Sequence, residues 1–112
     1  AEELIKVIIG DRKKAKPEIE SVIFETANYF NLEPSLLKSK SRKKEIALAR
    51  QIAMYIAKNI LDMSLPKIGD AFGKRDHTTV LHGCNKIEKE VKEKTNTKLI
   101  VESVKNIIQD SN

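Results

Sequence analysis

The chain has 112 residues, 40% hydrophobic and 33% charged, which suffices for one small folded domain with a modest core. A net charge of +5 and a pI near 9.3 favour an anionic partner such as nucleic acid. Cys84 is the only cysteine, which excludes an internal disulfide, and we expect no secretory signal, no membrane span and a cytoplasmic location.

The chain begins with a predicted amphipathic helix. Its apolar residues run from Leu4 to Ile9, and Gly10 and a polar connection follow them, so residues 1–16 are predicted to form a linker helix ahead of one domain over residues 17–112. Pro17 can begin the next helix, because the first helical residue needs no amide hydrogen. Its apolar residues recur at helical spacing: Ile19, Val22, Ile23, Thr26, Ala27 and Phe30.

Positive charge is concentrated in the middle of the chain. Residues 38–58 hold seven basic residues and one acidic residue, a net charge of +6, whereas the remainder carries −1. A short helical turn at residues 34–38 precedes a predicted basic loop at residues 39–44, and a long central helix is predicted over about residues 44–63. Arg50 and Lys58 are eight residues apart, hence on roughly one helix face, which could lie along a phosphate backbone.

Residues 65–89 have the pattern of a helix-turn-helix, two helices joined by a short turn that contains glycine. Pro66 can open the first helix, Gly73 can end it, and Asp76 is a good N-cap residue for the second. After this motif, a charged stretch ends near Asn96, and a last helix is predicted from Leu99, Val101, Val104, Ile107 and Ile108. We therefore predict an all-α domain of about five to six helices, preceded by the linker helix.

The second helix of the motif opens with four polar residues, Asp76, His77, Thr78 and Thr79. In a helix-turn-helix these positions meet base edges in the major groove, where Asp accepts from cytosine and Thr offers its methyl to thymine. The alternative is that Asp76 is only a cap and the threonines are only solvated. The adjacent Lys74 and Arg75 and the upstream basic loop favour contact with DNA.

Three other constellations are rejected. The stretch from Gly69 to Lys74 resembles a phosphate-binding loop, but the spacing is one residue short and Arg75 replaces the Ser or Thr. His77, His82 and Cys84 fall in one short helix, and Cys84 belongs to its apolar stripe, so we favour a core residue over a zinc ligand. Asp76 and His77 are adjacent and do not face each other, so catalysis is not expected.

The segment Ile68-Gly-Asp-Ala-Phe-Gly-Lys-Arg-Asp-His-Thr-Thr-Val-Leu-His-Gly-Cys-Asn-Lys-Ile resembles the signature of the bacterial chromosomal replication initiator family DnaA. The resemblance continues through Arg50-Gln-Ile-Ala-Met-Tyr-Ile-Ala and covers about Lys16 to the C-terminus, the DNA-binding domain of that family. One departure is Leu48-Ala49, where many members have Arg-Pro or a similar pair. We expect it to extend the central helix N-terminally, which affects Lys43 and Lys44 more than Arg42.

The resemblance implies a role for individual residues. Arg42 would contact bases in the minor groove, Asp76, His77 and Thr78 would contact bases in the major groove, and Pro66 would approach a base methyl group. Phosphate contacts would fall to the main chain near Leu65 and to the side chains of Lys44, Arg50, Gln51, Lys58, Thr79 and His82. The roles of Pro66, Gln51 and His82 rest on the resemblance alone.

The resemblance also implies a function: monomeric, sequence-specific binding of double-stranded DNA at TTATNCACA-like boxes of the replication origin. The fragment itself would need no cofactor and would not be an enzyme, because ATP and magnesium would bind a preceding ATPase domain. Regulatory proteins are possible further partners. Two alternatives from other classes remain open: a basic helical module that docks an acidic protein, and a nonspecific nucleic-acid binder.

Overall fold

The computed structural model describes residues 18–110, and the predicted linker helix and the predicted start at Pro17 lie outside them. Within this part of the chain there are six helices and no strand, which confirms the all-α prediction. They are α1 (Ile19–Tyr29), α2 (Pro34–Leu37), α3 (Lys44–Ile60), α4 (Leu65–Ala71), α5 (His77–Lys92) and α6 (Asn96–Asp110).

The central helix α3 forms the middle of the core, because every other helix in the described part packs against it. Ala49, Ala53 and Ala57 recur every four residues and are fully buried, and such small side chains let neighbouring helices approach closely. The larger buried residues of the core, from α1 to α6, are Val22, Ile23, Leu37, Ile46, Ile52, Met54, Ile56, Ile68, Phe72, Val80, Ile87, Val101, Val104 and Ile108.

Helix α3 begins at Lys44, as the sequence predicts, and Leu48-Ala49 lie inside it. The predicted end at Met63 is wrong: the helix stops at Ile60, Leu61 is the C-cap, and Asp62 adopts a left-handed backbone with φ of 56°. Asp tolerates this conformation better than most residues, because its short polar side chain can hydrogen-bond locally. The early stop lets the chain reverse before Ser64 caps α4.

The predicted helix-turn-helix is formed by α4 and α5. The Ser64 hydroxyl accepts from the amide of Lys67, and Pro66 lies in the first turn of α4, as predicted. Ile68 and Phe72 of α4 and Val80, Cys84 and Ile87 of α5 are buried, so both helices rest their apolar sides on the same core. This packing leaves the first turn of α5 at the surface.

Helix α6 begins at Asn96 and closes the core with Val101, Val104 and Ile108, as predicted. Leu99 is 62% exposed and Ile107 is also exposed, so these two apolar residues of the predicted helix do not belong to the core. None of the helices in residues 18–110 combines the length and the apolar run that crossing a membrane requires.

Candidate nucleic-acid interface

The basic loop connects α2 to α3 and, in the structure, spans residues 38–43. Two serine side chains shape it. The Ser39 hydroxyl donates to the carbonyl of Leu36 at 2.7 Å and accepts from the amide of Ser41 at 3.2 Å, while the Ser41 hydroxyl accepts from the amide of Lys43 at 3.3 Å. These local bonds replace helical ones, which is typical of Ser in turns.

The long basic side chains of this loop differ in their surroundings. Lys40, Arg42 and Lys43 are exposed. Lys38 instead pairs with the carboxylate of Glu20 on α1, with 3.1 Å between Nζ and Oε2. The exposed positive charge of the loop therefore comes from its later residues, which include the predicted minor-groove residue Arg42.

Arg50 does not lie at the surface, although the sequence suggested that it shares an exposed face with Lys58. It is only 7% exposed, and its Nε donates to the carbonyl of Leu37 at 2.9 Å. Its Nη2 donates to the carbonyls of Ser39 and Ser41, both at 3.0 Å. The expectation of an exposed Arg50 is wrong, because its guanidinium donates to main-chain carbonyls before the start of α3. A phosphate contact by Arg50 stays a prediction.

The turn between α4 and α5 depends on two glycines. Gly73 adopts a left-handed backbone with φ of +85°, which glycine accepts at little cost. A β-carbon at Gly73 would overlap the carbonyl oxygen of Lys38 in the basic loop. A β-carbon at Gly69 would overlap the carbonyl oxygen of Arg75. The chain returns over α4 so closely that the Arg75 amide donates to the Gly69 carbonyl at 2.9 Å.

The first turn of α5 presents all four of its polar residues to solvent, namely Asp76, His77, Thr78 and Thr79. Asp76 occupies the N-cap position, as predicted, but its side chain makes no capping hydrogen bond. Its carboxylate lies 3.5 Å from the His77 imidazole. The oxygens of Asp76 are thus left largely to solvent, and an incoming hydrogen-bond donor can reach them.

A cleft of about 390 Å³ separates the basic loop from the turn of the helix-turn-helix. It brings together three residues that the sequence nominated: Arg42, Arg50 and Thr79. The other residues that line it are Lys40, Ser41, Gly73, Lys74 and Arg75. None of the lining residues is acidic, so the cleft is strongly cationic and is suited to an anion.

Sequence reasoning missed Lys40 and Arg75 as members of this cleft. The sequence suggested only that Arg75 adds positive charge near DNA, whereas in the structure its Nη2 donates to the Ser39 carbonyl at 2.7 Å and its Nη1 donates to the Phe72 carbonyl. Burial lowers the pKa of Arg75, and burial together with the nearby charge of Arg75 lowers the pKa of Arg50. The only signal in the sequence was that a second basic residue precedes Asp76.

Lys44 and Gln51, both predicted to contact phosphate, line a second groove of about 280 Å³ between α3 and α5. Here Lys86 lies between Gln51 and Glu90: its Nζ donates to the Gln51 side-chain oxygen at 3.4 Å and is 3.7 Å from the Glu90 carboxylate. Glu90 in turn accepts from the Thr97 hydroxyl at 2.6 Å. This groove holds both signs of charge, unlike the cleft.

The remaining predicted residues border the helix-turn-helix without lining either opening. Pro66 and His82 are exposed, and Leu65 is half-buried at the start of α4. His82 follows Thr78 by four residues, hence on the same face of α5. Lys58 is exposed, and its charge acts to lower the pKa of the Cys84 thiol on α5.

Cys84 is 2% exposed, which confirms that it is a core residue, and burial raises the pKa of its thiol. In residues 18–110, no three side chains of His, Cys, Asp or Glu are grouped as a metal site would need.

A protein-family model described as the bacterial dnaA protein helix-turn-helix matches residues 19–87, from the start of α1 to the buried part of α5. The match covers more than half of the 112 residues and includes the basic loop, the cleft and the exposed first turn of α5. The chain therefore belongs to the bacterial DnaA helix-turn-helix family, a family of domains that bind DNA in the initiation of chromosomal replication.

Proposed function

We propose that this domain binds double-stranded DNA sequence-specifically, as a monomer, at TTATNCACA-like initiator boxes of a replication origin. One observation carries the proposal: the cleft lies between the basic loop and the turn before α5, and no acidic residue lines it. A DNA backbone near the cleft would meet only cationic or neutral side chains. The two elements on either side of it can then reach adjacent grooves.

In the major groove, the base contacts fall to Asp76, His77 and Thr78. A carboxylate accepts from the cytosine amino group, and a threonine offers a methyl group to thymine and a hydroxyl to an acceptor. The exposure of all three side chains and the absence of a capping bond at Asp76 support this assignment. Pro66 approaches a base methyl group from the start of α4.

In the minor groove, the base contact falls to Arg42. Its exposed guanidinium projects from a loop, and arginine favours a narrow minor groove because the negative potential is strongest there. Contacts in two grooves give one module a footprint that other helix-turn-helix proteins obtain by dimerising. Removal of the Arg42 side chain should cost about 1–3 kcal/mol and relax specificity only at the base pairs it contacts.

Phosphate contacts hold the domain in register and carry no sequence information. They fall to the main chain near Leu65 and to Lys44, Gln51, Lys58, Thr79 and His82, together with the exposed cations of the cleft. If roughly six phosphates are neutralised, the log-log dependence of affinity on salt has a slope near −5. We further infer that regulatory proteins are additional partners of this domain, that it acts in the cytoplasm, and that ATP and magnesium would bind a separate, preceding ATPase domain.

Fluorescence anisotropy tests the proposal with two labelled duplexes, one that carries the box and one of the same composition with the box scrambled. At physiological salt, the wild type should prefer the box by about a thousandfold or more. Asp76→Ala and Arg42→Ala should each lose much of that preference. Equal losses on both duplexes would contradict base contact by these residues, and equally weak binding by the wild type would favour a nonspecific binder or a module for acidic proteins.

A further inference from the structure

The carbonyl oxygen of Ser39 in the basic loop accepts from two arginines that come from different elements. Arg50 of α3 donates from Nη2 at 3.0 Å, and Arg75 from the turn of the helix-turn-helix donates from Nη2 at 2.7 Å. Arg75 is 36 positions from Ser39 in the sequence. Through this shared main-chain acceptor, two side-chain donors link the loop to the turn.

Each arginine also fixes a second point of the structure. Arg50 holds the carbonyls of Leu37 and Ser41 in addition to that of Ser39, so it spans the first part of the basic loop, up to Ser41. Arg75 binds the Phe72 carbonyl through Nη1, and its own amide donates to the Gly69 carbonyl. The planar fork of a guanidinium can serve two acceptors in fixed geometry, which an ammonium group cannot.

The acceptors in this arrangement are neutral carbonyls. Within residues 18–110, no ion pair to a carboxylate is found for Arg50 or Arg75. Two cations that lie close together away from water raise the free energy of the folded state, because each loses hydration and the like charges repel each other. A carboxylate would relieve that cost but would also repel phosphate, so the carbonyl partners keep the cleft positive.

The bonds of the two arginines reach to within one residue of both proposed base-contacting elements. The Ser41 carbonyl, held by Arg50, belongs to the peptide that leads into Arg42. Arg75 directly precedes Asp76 at the N-cap of α5. We propose that Arg50 and Arg75 are positioning residues that set the distance between Arg42 and the first turn of α5, so that contacts in the two grooves depend on each other. This inference rests on the proposed function.

Two other roles predict different behaviour. A direct phosphate contact by either arginine would weaken binding to every sequence and would leave the effect of Arg42 intact. A purely structural role would lower stability without any selective effect on the Arg42 contact. The positioning role predicts that the benefit of Arg42 disappears when the link is broken, although the chain stays folded.

A double-mutant cycle separates these roles. Arg75→Lys keeps the charge but loses the fork, and it is combined with Arg42→Ala on the box and scrambled duplexes. In the wild-type background, Arg42→Ala should reduce box affinity about 5- to 150-fold. In the Arg75→Lys background the same change should reduce it less than about threefold. An unchanged Arg42 effect in that background overturns the proposal.

Lys74→Gln is the matched control, because Lys74 adjoins Arg75 and lines the same cleft. It should weaken binding to both duplexes alike and leave the Arg42 effect at its wild-type size. A loss of the Arg42 effect in Lys74→Gln as well would mean that cleft charge, and not the geometry of the arginine pair, controls Arg42.

A second measurement needs no DNA and is therefore independent of the proposed function. The basic loop contains trypsin sites at Lys40, Arg42 and Lys43, and Arg75→Lys neither adds nor removes a site elsewhere. Well below the unfolding temperature, the variant should be cut in the loop at least about tenfold faster than the wild type, as identified by mass spectrometry. Equal rates of loop cleavage in the variant and the wild type would overturn the proposal that Arg75 holds the basic loop in place. A wild type without box preference would instead refute only the proposed function.

If Arg75→Lys does not fold, Arg50→Lys is the second variant, with the same expectations for cleavage and for the Arg42 effect. The wild type alone offers a further test by amide relaxation. The backbone amide order parameters of residues 39–43 should be about 0.85, as in α3, and values below about 0.6 would overturn the proposal.

Discussion

The Oδ1 atom of Asp76 lies 3.5 Å from Nδ1 of His77, and these neighbouring side chains are 66% and 61% exposed. Asp76 has the backbone of an N-cap residue but makes no capping hydrogen bond. A capping side chain typically contributes about 1 kcal/mol to stability, and that contribution is absent here. The carboxylate is therefore in the right place to begin a helix but remains open to another donor.

We predict that Asp76→Asn separates binding from stability. Asn is an equally good N-cap residue, so the free energy of unfolding should change by less than about 0.5 kcal/mol. The box preference should fall by about 5- to 150-fold, because the amide presents a donor where a carboxylate only accepts. Denaturant titration and anisotropy measure the two effects. Glu102→Gln on α6 is the charge control, and a box preference that survives in Asp76→Asn would contradict a base contact.

Lys58→Ala should weaken binding to box and scrambled duplexes by similar factors. Lys58 is exposed, so its ammonium group can neutralise a phosphate, and Lys58 is not among the residues that line the cleft with Arg42. The salt slope should decrease in magnitude by about one unit. Lys105→Ala on α6 removes the same charge and should leave the slope unchanged. A selective loss on the box alone would show that Lys58 contributes to specificity.

Helical spacing predicted the fold because the buried residues of each helix recur every three or four positions along the sequence. It did not predict how Arg50 and Arg75 are used, since all but one of the main-chain carbonyls that they bind lie 9 to 36 positions away. A basic residue in a sequence has the same appearance whether it faces phosphate or a carbonyl. The end of α3 was misplaced for a related reason: the left-handed residue that follows the helix is Asp62 and not glycine.

We predict opposite outcomes for alanine at two glycines of the helix-turn-helix. Gly69→Ala should lower the free energy of unfolding by about 1–3 kcal/mol, because the β-carbon would overlap the Arg75 carbonyl, which is backbone and cannot move aside. In Gly83→Ala the closest neighbour of the new β-carbon is Cγ of the flexible Gln51 side chain, at 3.2 Å, and the Met54 sulfur lies at ordinary contact distance. Helix propensity favours that change by up to about 1 kcal/mol. Denaturant titration compares the two, and equal costs would contradict the close approach at Gly69.

Two buried threonines should respond differently to replacement by valine. The Thr26 hydroxyl is fully buried in α1 and has no hydrogen-bond partner among the described residues. Thr26→Val should therefore stabilise the domain by about 1 kcal/mol, because an unsatisfied buried hydroxyl is removed at nearly constant volume. Thr97→Val should destabilise it by about 1 kcal/mol, since the bond to the Glu90 carboxylate is lost. Thermal unfolding measures both, and a lower unfolding temperature for Thr26→Val would indicate an unseen partner.

The buried thiol of Cys84 should make stability depend on pH in the alkaline range. Burial and, to a smaller extent, Glu88 hold the pKa of the folded thiol above its ordinary value, although Lys58 opposes this. The stabilisation is complete below the ordinary thiol pKa. It is lost as the pH rises from there through the folded pKa, because the unfolded chain releases its proton first.

The comparison is between wild type and Cys84→Ala, each unfolded by denaturant with a reducing agent present. Their difference in free energy of unfolding should narrow from pH 7.5 to pH 9.5, by at most about 1.4 kcal/mol for each pH unit above the ordinary thiol pKa. Tyr55 occurs in both chains, so the rise in its pKa that is due to burial, the largest cause, cancels. A difference independent of pH would mean that the folded protein ionises this thiol as easily as the unfolded chain does.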